Sequence, residues 1–172
     1  GDGNPGATNV LRAGGWRWGI PAFLLDYLKG AIPVGIAWFG LGIDGWPLVL
    51  AAVAPVLGHA TSSFLGFRGG KAVAVTFGVW TGLTLWEGPT ILGLCLGLAF
   101  AVLAVSGWAV VVAMLGLLAY FLVVPAGFNP VTPRPDLWPV LIGVWAGNFA
   151  ILVWKHLADL RRAPALRSWL RR

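Results

Sequence analysis

Six apolar blocks follow one another along the chain, near residues 18–42, 46–58, 72–86, 89–105, 108–124 and 137–154, separated by breaks rich in Gly, Pro, Trp and charge. A helix needs roughly 20 apolar residues to cross the hydrocarbon core of a bilayer. The pattern therefore predicts an all-α, polytopic integral membrane helix bundle with six spans. The second and third blocks fall short of a full span. Their helices are expected to extend into the flanking segments, or to sit where the bilayer is locally thin. No linker or low-complexity tract separates the blocks, so residues 1–172 are read as one membrane-embedded domain.

Threading six spans sorts the connections onto two sides. The N-terminal loop, residues 59–71, the Ser106–Gly107 turn and the C-terminal tail share one side. The loops around Asp44, Glu87 and 125–136 share the other. Arg12, Arg17, Arg68, Lys71, Lys155, Arg161, Arg162, Arg167, Arg171 and Arg172 fall on the first side, and only Arg134 on the second. Basic loops stay cytoplasmic, which predicts a multi-pass protein of the cell (inner) membrane with the first side facing the cytoplasm. Trp16, Trp18, Trp108 and Trp154 are expected at that interface, with Trp46, Trp86 and Trp138 at the other. Trp80 and Trp145 fall mid-span and read as packing residues.

Composition closes off the soluble alternatives. Charged residues make up 10% of the chain and hydrophobic ones 58%, with a mean hydropathy of +0.82. A soluble domain carries about a quarter charged residues, so the bilayer is the solvent that fits. Cys95, alone in an apolar run, allows no intrachain disulfide or cysteine metal cluster and is expected to face lipid or pack. The tail from 155 holds six of the twelve basic residues. Set against the membrane, that charge argues for anionic headgroups rather than nucleic acid, with Arg167, Arg171 and Arg172 expected on the lipid surface. Within the first block, Asp26 and Lys29 lie one turn apart and can pair on the face turned into the bundle.

Three segments on the cytoplasmic side carry candidate chemistry. The stretch GDGNPGATNVLR at 1–12 specifies a tight loop with exposed amides, followed by the start of a helix whose dipole favours an anion. Asn4, Thr8, Asn9 and Arg12 are its candidate phosphate ligands. In GHATSSFLGFRGGK at 58–71, Gly69 and Gly70 would let the backbone approach a ligand, Arg68 and Lys71 supply positive charge, and His59 is a further candidate. This is not a Walker A loop: Leu65 stands where its first glycine would be, and Ala72 where Ser or Thr is required. In KHLADLRR at 155–162, His156 and Asp159 share a helical face, with His156 a candidate general base. No ligand spacing suggests a metal, and no serine nucleophile elbow is present.

In this order, those segments resemble the bacterial acyl-phosphate:glycerol-3-phosphate acyltransferases, the PlsY family. The resemblance rests on GDGNPGATNVLR at 1–12, FLLDYLKG at 23–30, GH at 58–59, FLGFRGGKAVAV at 64–75 and KHLADLRR at 155–162, and runs through nearly the whole chain. It implies seven spans, the first lying before the Gly-rich motif. That fits a chain which opens without Met, and a further span upstream of Gly1 is expected. The implied reaction passes an acyl group from acyl phosphate to the 1-hydroxyl of glycerol 3-phosphate, forming lysophosphatidic acid, with membrane lipids around it and without metal, nucleotide or other cofactor.

In that reading Asn4, Thr8, Asn9 and Arg12, with Gly69, Gly70 and Lys71, hold the two phosphates and the developing oxyanion. His156 orients or deprotonates the acceptor, or the departing phosphate takes the proton. Arg68 and His59 assist. The chain departs from the usual family pattern at Asp2 (Ser), Asp159 (Asn), Thr61-Ser62 (Phe-Pro), Ala72 (Gly) and Leu157 (Arg), and lacks a closing Gly-x-Glu. Carboxylates at 2 and 159 would repel phosphate unless protonated or paired with Arg, although Asp159 could instead serve as a base. Two alternatives follow: a catalytically weak paralogue that binds phosphorylated lipid precursors, and a transporter for a small organic phosphate. The absence of internal repeats and the gathering of polar groups at one interface weigh against the transporter.

Overall fold

The computed structural model describes residues 5–63, 66–124 and 137–170. Among them every regular element is helical, apart from one isolated bridge between Leu103 and Leu166. A short helix α1 (Ala7–Gly14) leads into α2 (Trp16–Gly35), which continues as a π-helix (Ile36–Gly40). Then follow α3 (Gly45–Ala60), α4 (Val73–Thr84), α5 (Glu87–Val102), α6 (Ser106–Val123), α7 (Trp138–Lys155) and a single turn, α8 (Leu157–Leu160). Each of the six apolar blocks is thus a helix. Asp44 starts α3 by accepting the Gly45 amide at 2.7 Å, so the turn before it is capped by its own carboxylate.

Three of these helices are long and apolar enough to cross a membrane, Trp16–Gly40, Ser106–Val123 and Trp138–Lys155. The other three have 16, 12 and 16 residues. Of the two short blocks, the second extends into its flanks as α3, whereas the third is cut back at each end as α4. At 1.5 Å per residue, the α2 unit reaches roughly 38 Å and α4 only about 18 Å. The candidate chemistry gathers in a cleft lined by the ends of several of these helices.

Glycines bring the helices together without help from a hydrophobic effect that lipid cannot supply. A Cβ on Gly78 would stand 2.0 Å from Tyr27 O, and one on Gly82 would stand 2.8 Å from Ala31 O. That Gly-x-x-x-Gly face of α4 lies directly on the backbone of α2, where Tyr27 also donates its hydroxyl to Thr81 Oγ1 at 2.8 Å. On α7, Gly143 and Gly147 take the side chains of Val49 and Val53 in the same way. Between these pairs lies the core, with Trp80, Leu48, Leu83, Met114 and Leu117 fully buried. Trp80 and Trp145 are packing residues, as expected, and Trp145 donates to Met114 O at 2.8 Å. Trp16, Trp46 and Trp86 are largely exposed. Cys95 is a free, half-buried thiol packed towards Gly116 on α6.

Candidate active site

At one end of the bundle, α1, α2, the entry to α4, the α5–α6 turn and the end of α7 enclose a cleft of about 440 Å³. Sequence parity assigned the N-terminal segment, 59–71, Ser106–Gly107 and the tail to one side, and here they meet. Helix α1 presents Thr8, Asn9 and Arg12 to the cleft. Arg12 donates from Nη1 to Asn9 Oδ1 at 3.3 Å, which holds both side chains on one face. Gly6, the N-cap, has no side-chain oxygen to compete for the first amides of α1. Asn4 lies outside the described residues.

The opposite wall is built around Asp159. Its Oδ2 accepts from Lys71 Nζ at 3.1 Å and from Ser106 Oγ at 2.9 Å. Helix α8 can approach this closely because Gly107 leaves room: a Cβ there would lie 2.7 Å from Asp159 Cβ. The carboxylate also sits at the N-terminus of α6, where the helix dipole favours it. Burial by itself would raise the Asp159 pKa. The Ser106 and Lys71 hydrogen bonds and the Lys71 charge outweigh burial and hold the carboxyl below its ordinary value. The repulsion expected from this departure is answered by Lys71 rather than by an arginine.

His156 follows α7 directly and is 2% exposed, with its ring on the cleft. Nδ1 lies 2.8 Å from Leu152 O. A carbonyl only accepts, so Nδ1 carries the proton and Nε2 keeps its lone pair. Burial pushes the His156 pKa below the usual histidine value, and the Lys71 cation adds to this against the opposing Leu152 hydrogen bond. The ring is therefore neutral at neutral pH.

A third wall divides this cleft from a second of about 450 Å³. Lys29 donates to Asp26 Oδ1 at 2.7 Å and lies 2.5 Å from His59 Nδ1. The same Nδ1 lies 3.4 Å from Asp26 Oδ1, so the three side chains form one cluster. The expected Asp26–Lys29 pair is present, and His59 completes it. Asp26 and His59 line both clefts; Lys29, Ser62 and Gly70 line the second.

The glycines at 69 and 70 are placed differently from the expectation. Their close approach is to the chain itself. A Cβ on Gly69 would stand 1.9 Å from His59 O, and one on Gly70 would stand 2.2 Å from His59 Nε2. Both are buried against the C-terminus of α3. Gly70 donates to His59 O at 3.1 Å. Lys155 closes the same junction, donating to Ala60 O at 3.0 Å and Gly69 O at 2.9 Å, so the last carbonyls of α3 find partners. Arg68 is exposed and lines neither cleft. Arg167, expected on headgroups, is exposed, and its Nε donates to Phe100 O at 2.9 Å. Arg171 and Arg172 lie outside the described residues.

Ser106 and the apolar wall of Phe23, Val73, Phe100 and Val110 were not singled out by sequence, and Asp26 was read there only as the partner of Lys29. Parity already put Ser106, the hydroxyl in its turn, on the side of Lys71 and the tail. Nothing local announced Phe100.

The model of a protein family described as "Glycerol-3-phosphate acyltransferase" matches residues 1–165. The chain belongs to the glycerol-3-phosphate acyltransferase family. A relative in Thermotoga maritima, glycerol-3-phosphate acyltransferase 1, is 38% identical over 94% of this chain and 81% of its own length. The glycerol-3-phosphate acyltransferase of Desulfovibrio desulfuricans is 36% identical over 98% of this chain and 70% of its own. Among solved structures, the glycerol 3-phosphate form of PlsY (YgiH), an integral membrane glycerol 3-phosphate acyltransferase, superposes with a TM-score of 0.72. It has 32% identity, over 99% of this chain and 82% of that one. The lysophosphatidic acid form of PlsY gives 0.70 and 34% identity, over 93% and 76%. An all-α membrane bundle of an acyltransferase family is thus established for this chain.

Proposed function

We propose that this chain transfers the acyl group of acyl phosphate to the 1-hydroxyl of glycerol 3-phosphate, on the cytoplasmic face of the cell (inner) membrane. The hydroxyl oxygen bonds to the acyl carbonyl carbon, the bond from that carbon to phosphate breaks, and the products are lysophosphatidic acid and orthophosphate. Six spans cross the membrane in this reading, with the three shorter helices lying in a locally thinned or recessed region around the cleft. Membrane lipids surround the bundle and supply the medium into which the acyl chain extends.

The observation that carries the reading is the meeting of Arg12, Lys71, Ser106 and a neutral His156 around one cleft, with an apolar wall beside them. Thr8, Asn9 and Arg12, at the start of α1, suit a phosphate held by side-chain donors and helix amides. Lys71 suits the second phosphate and the charge that develops on the carbonyl oxygen. His156, with a lone pair on Nε2, takes the hydroxyl proton or holds the hydroxyl while the departing phosphate takes it. Asp159 is better suited to hold Lys71 than to act as a base, because an ionised carboxylate with two hydrogen bonds has little affinity for a proton. Asn4, Gly69, Gly70, Arg68 and His59 have supporting roles: the glycines and His59 shape the floor, and Arg68 contributes positive charge outside the cleft.

Purified protein given acyl phosphate and glycerol 3-phosphate should form lysophosphatidic acid in step with phosphate release. Phosphate release that ignores glycerol 3-phosphate, with no lysophosphatidic acid formed, would overturn the assignment.

A further inference from the structure

The C-terminal tail does something that the acyltransferase reading leaves unexplained. Past α8 it turns back and runs antiparallel to the α5–α6 turn. Ala104 donates to Ala165 O at 2.8 Å and the Arg167 amide donates to Val102 O at 2.9 Å, on either side of the Leu103–Leu166 bridge. The Arg167 side chain then reaches the last turn of α5, where Nε donates to Phe100 O at 2.9 Å. The last carbonyls of a helix have no partners within it, and a cation there also meets the negative end of the helix dipole. One residue thus satisfies two orphan carbonyls of α5, one of them through a charge-assisted bond. The family match ends at residue 165, so Arg167 lies beyond it.

What the strap holds is part of the cleft. Phe100 is on that last turn and its ring lines the cleft with Val73 and Val110. The polar groups occupy the other walls, so an acyl chain leaving the reacting carbonyl must pass along this apolar one. We propose that Arg167 is a positioning residue for acyl-chain recognition: it fixes the end of α5 and so sets where the Phe100 ring limits the chain. The inference rests on the acyl-transfer reading.

A loose α5 end lets the ring swing away and makes room for longer chains. A merely structural role would lower turnover of every donor alike, whereas this one changes the ratio between donors. The measurement is kcat/KM for palmitoyl phosphate relative to lauroyl phosphate, with the full chain in lipid nanodiscs. Phe100→Ala should raise that ratio by about fivefold, within the range that pocket methylenes command. Arg167→Ala should raise it in the same direction by at least about threefold, and the double variant no further than Phe100→Ala alone, because coupled residues are not additive. Arg167→Lys, which keeps a cation at the helix end, should stay nearer the parent.

An unchanged ratio in Arg167→Ala, or effects that multiply in the double variant, would overturn the proposal. If Arg167→Ala does not fold, Arg167→Met keeps the aliphatic stem without the donors and is judged by the same criteria. Failure of the parent to form lysophosphatidic acid from either donor would be seen before any variant is compared, and would fall on the acyl-transfer reading instead.

Discussion

Two lysine–aspartate pairs flank the cleft, and they are built in opposite ways. Asp26 and Lys29 lie one turn apart on α2, 2.7 Å from one another, with His59 as a third member. Lys71 and Asp159 come from segments 88 residues apart and meet at 3.1 Å. In the first, the lysine is held by a carboxylate of its own helix and lines the second cleft. In the second, the aspartate is anchored by Ser106 and α8, and the lysine it holds lines the cleft. Similar chemistry thus faces two clefts, Lys29 the second and Lys71 the first. The difference lies in what the aspartate is attached to.

The sharpest break in that comparison comes from removing each lysine. Lys71→Ala should lower kcat/KM by about 10²–10³, the usual cost of losing a group that stabilises developing negative charge, with the protein still folded in the membrane. Lys29→Ala should cost less than about tenfold, because Lys29 lines the second cleft and not the one that Lys71 lines. Steady-state rates of lysophosphatidic acid formation check both. Equal losses would erase the distinction between the two pairs.

His156 tests the second cluster by pH. Its pKa is lowered, first by burial, so the neutral form needed to accept a proton persists below the usual histidine range. Activity should then be full at neutral pH and fall only as pH drops through that lowered value. His156→Gln should lose on the order of 10²-fold in kcat at neutral pH. The substrate phosphates also titrate near 6, so the diagnostic feature is the part of the acid limb present in the parent and missing from the variant. An acid limb identical in both would remove His156 from proton transfer.

A smaller effect is expected at Asp159, where the residue usual in the family is Asn. Asp159→Asn keeps an acceptor for Lys71 or Ser106 but removes the charge. Surface-accessible ion pairs contribute about 1 kcal/mol or less, so kcat/KM should change by less than about tenfold. Asp159→Ala, which removes this partner of Lys71, should lose more. If Asn and Ala are equally damaging, the charge rather than the hydrogen-bonded scaffold is what positions Lys71.

The contrast between the pairs also explains what could be read from the chain. Apolar blocks gave the helices because spacing along one segment is local information. The Asp26–Lys29 pair was legible for the same reason, being three residues apart on a helix. Parity of the spans gathered Arg12, Lys71, Ser106 and His156 on one side without saying which would touch. His59 joins Lys29 across 30 residues and Ser106 joins Asp159 across 53. Such contacts depend on how α3 and α6 pack, and no local pattern carries that. For Gly69 and Gly70, a glycine pair announces close approach but does not say to what. The bond from Arg167 to Phe100 O was equally out of reach, because composition sees a cation near an interface and cannot see an orphan carbonyl at the end of α5.

The mildest expected change is at Ala72, directly after Lys71. Its φ is +61°, in the left-handed region, where it caps the start of α4. Ala72→Gly, the residue usual in the family, removes a strain of roughly 1 kcal/mol. It also removes a methyl that is almost wholly buried, worth about 0.8 kcal/mol. The two nearly cancel, so the melting temperature in detergent should move by less than about 4 °C and kcat/KM should stay at the parental level. A clear rise in melting temperature at unchanged activity would mean that backbone strain at the α4 entry outweighs the methyl contacts. A fall in activity without loss of stability would mean that the methyl helps to aim Lys71, and the second pair would then owe its geometry to the chain on both sides of the cleft rather than to Asp159 alone.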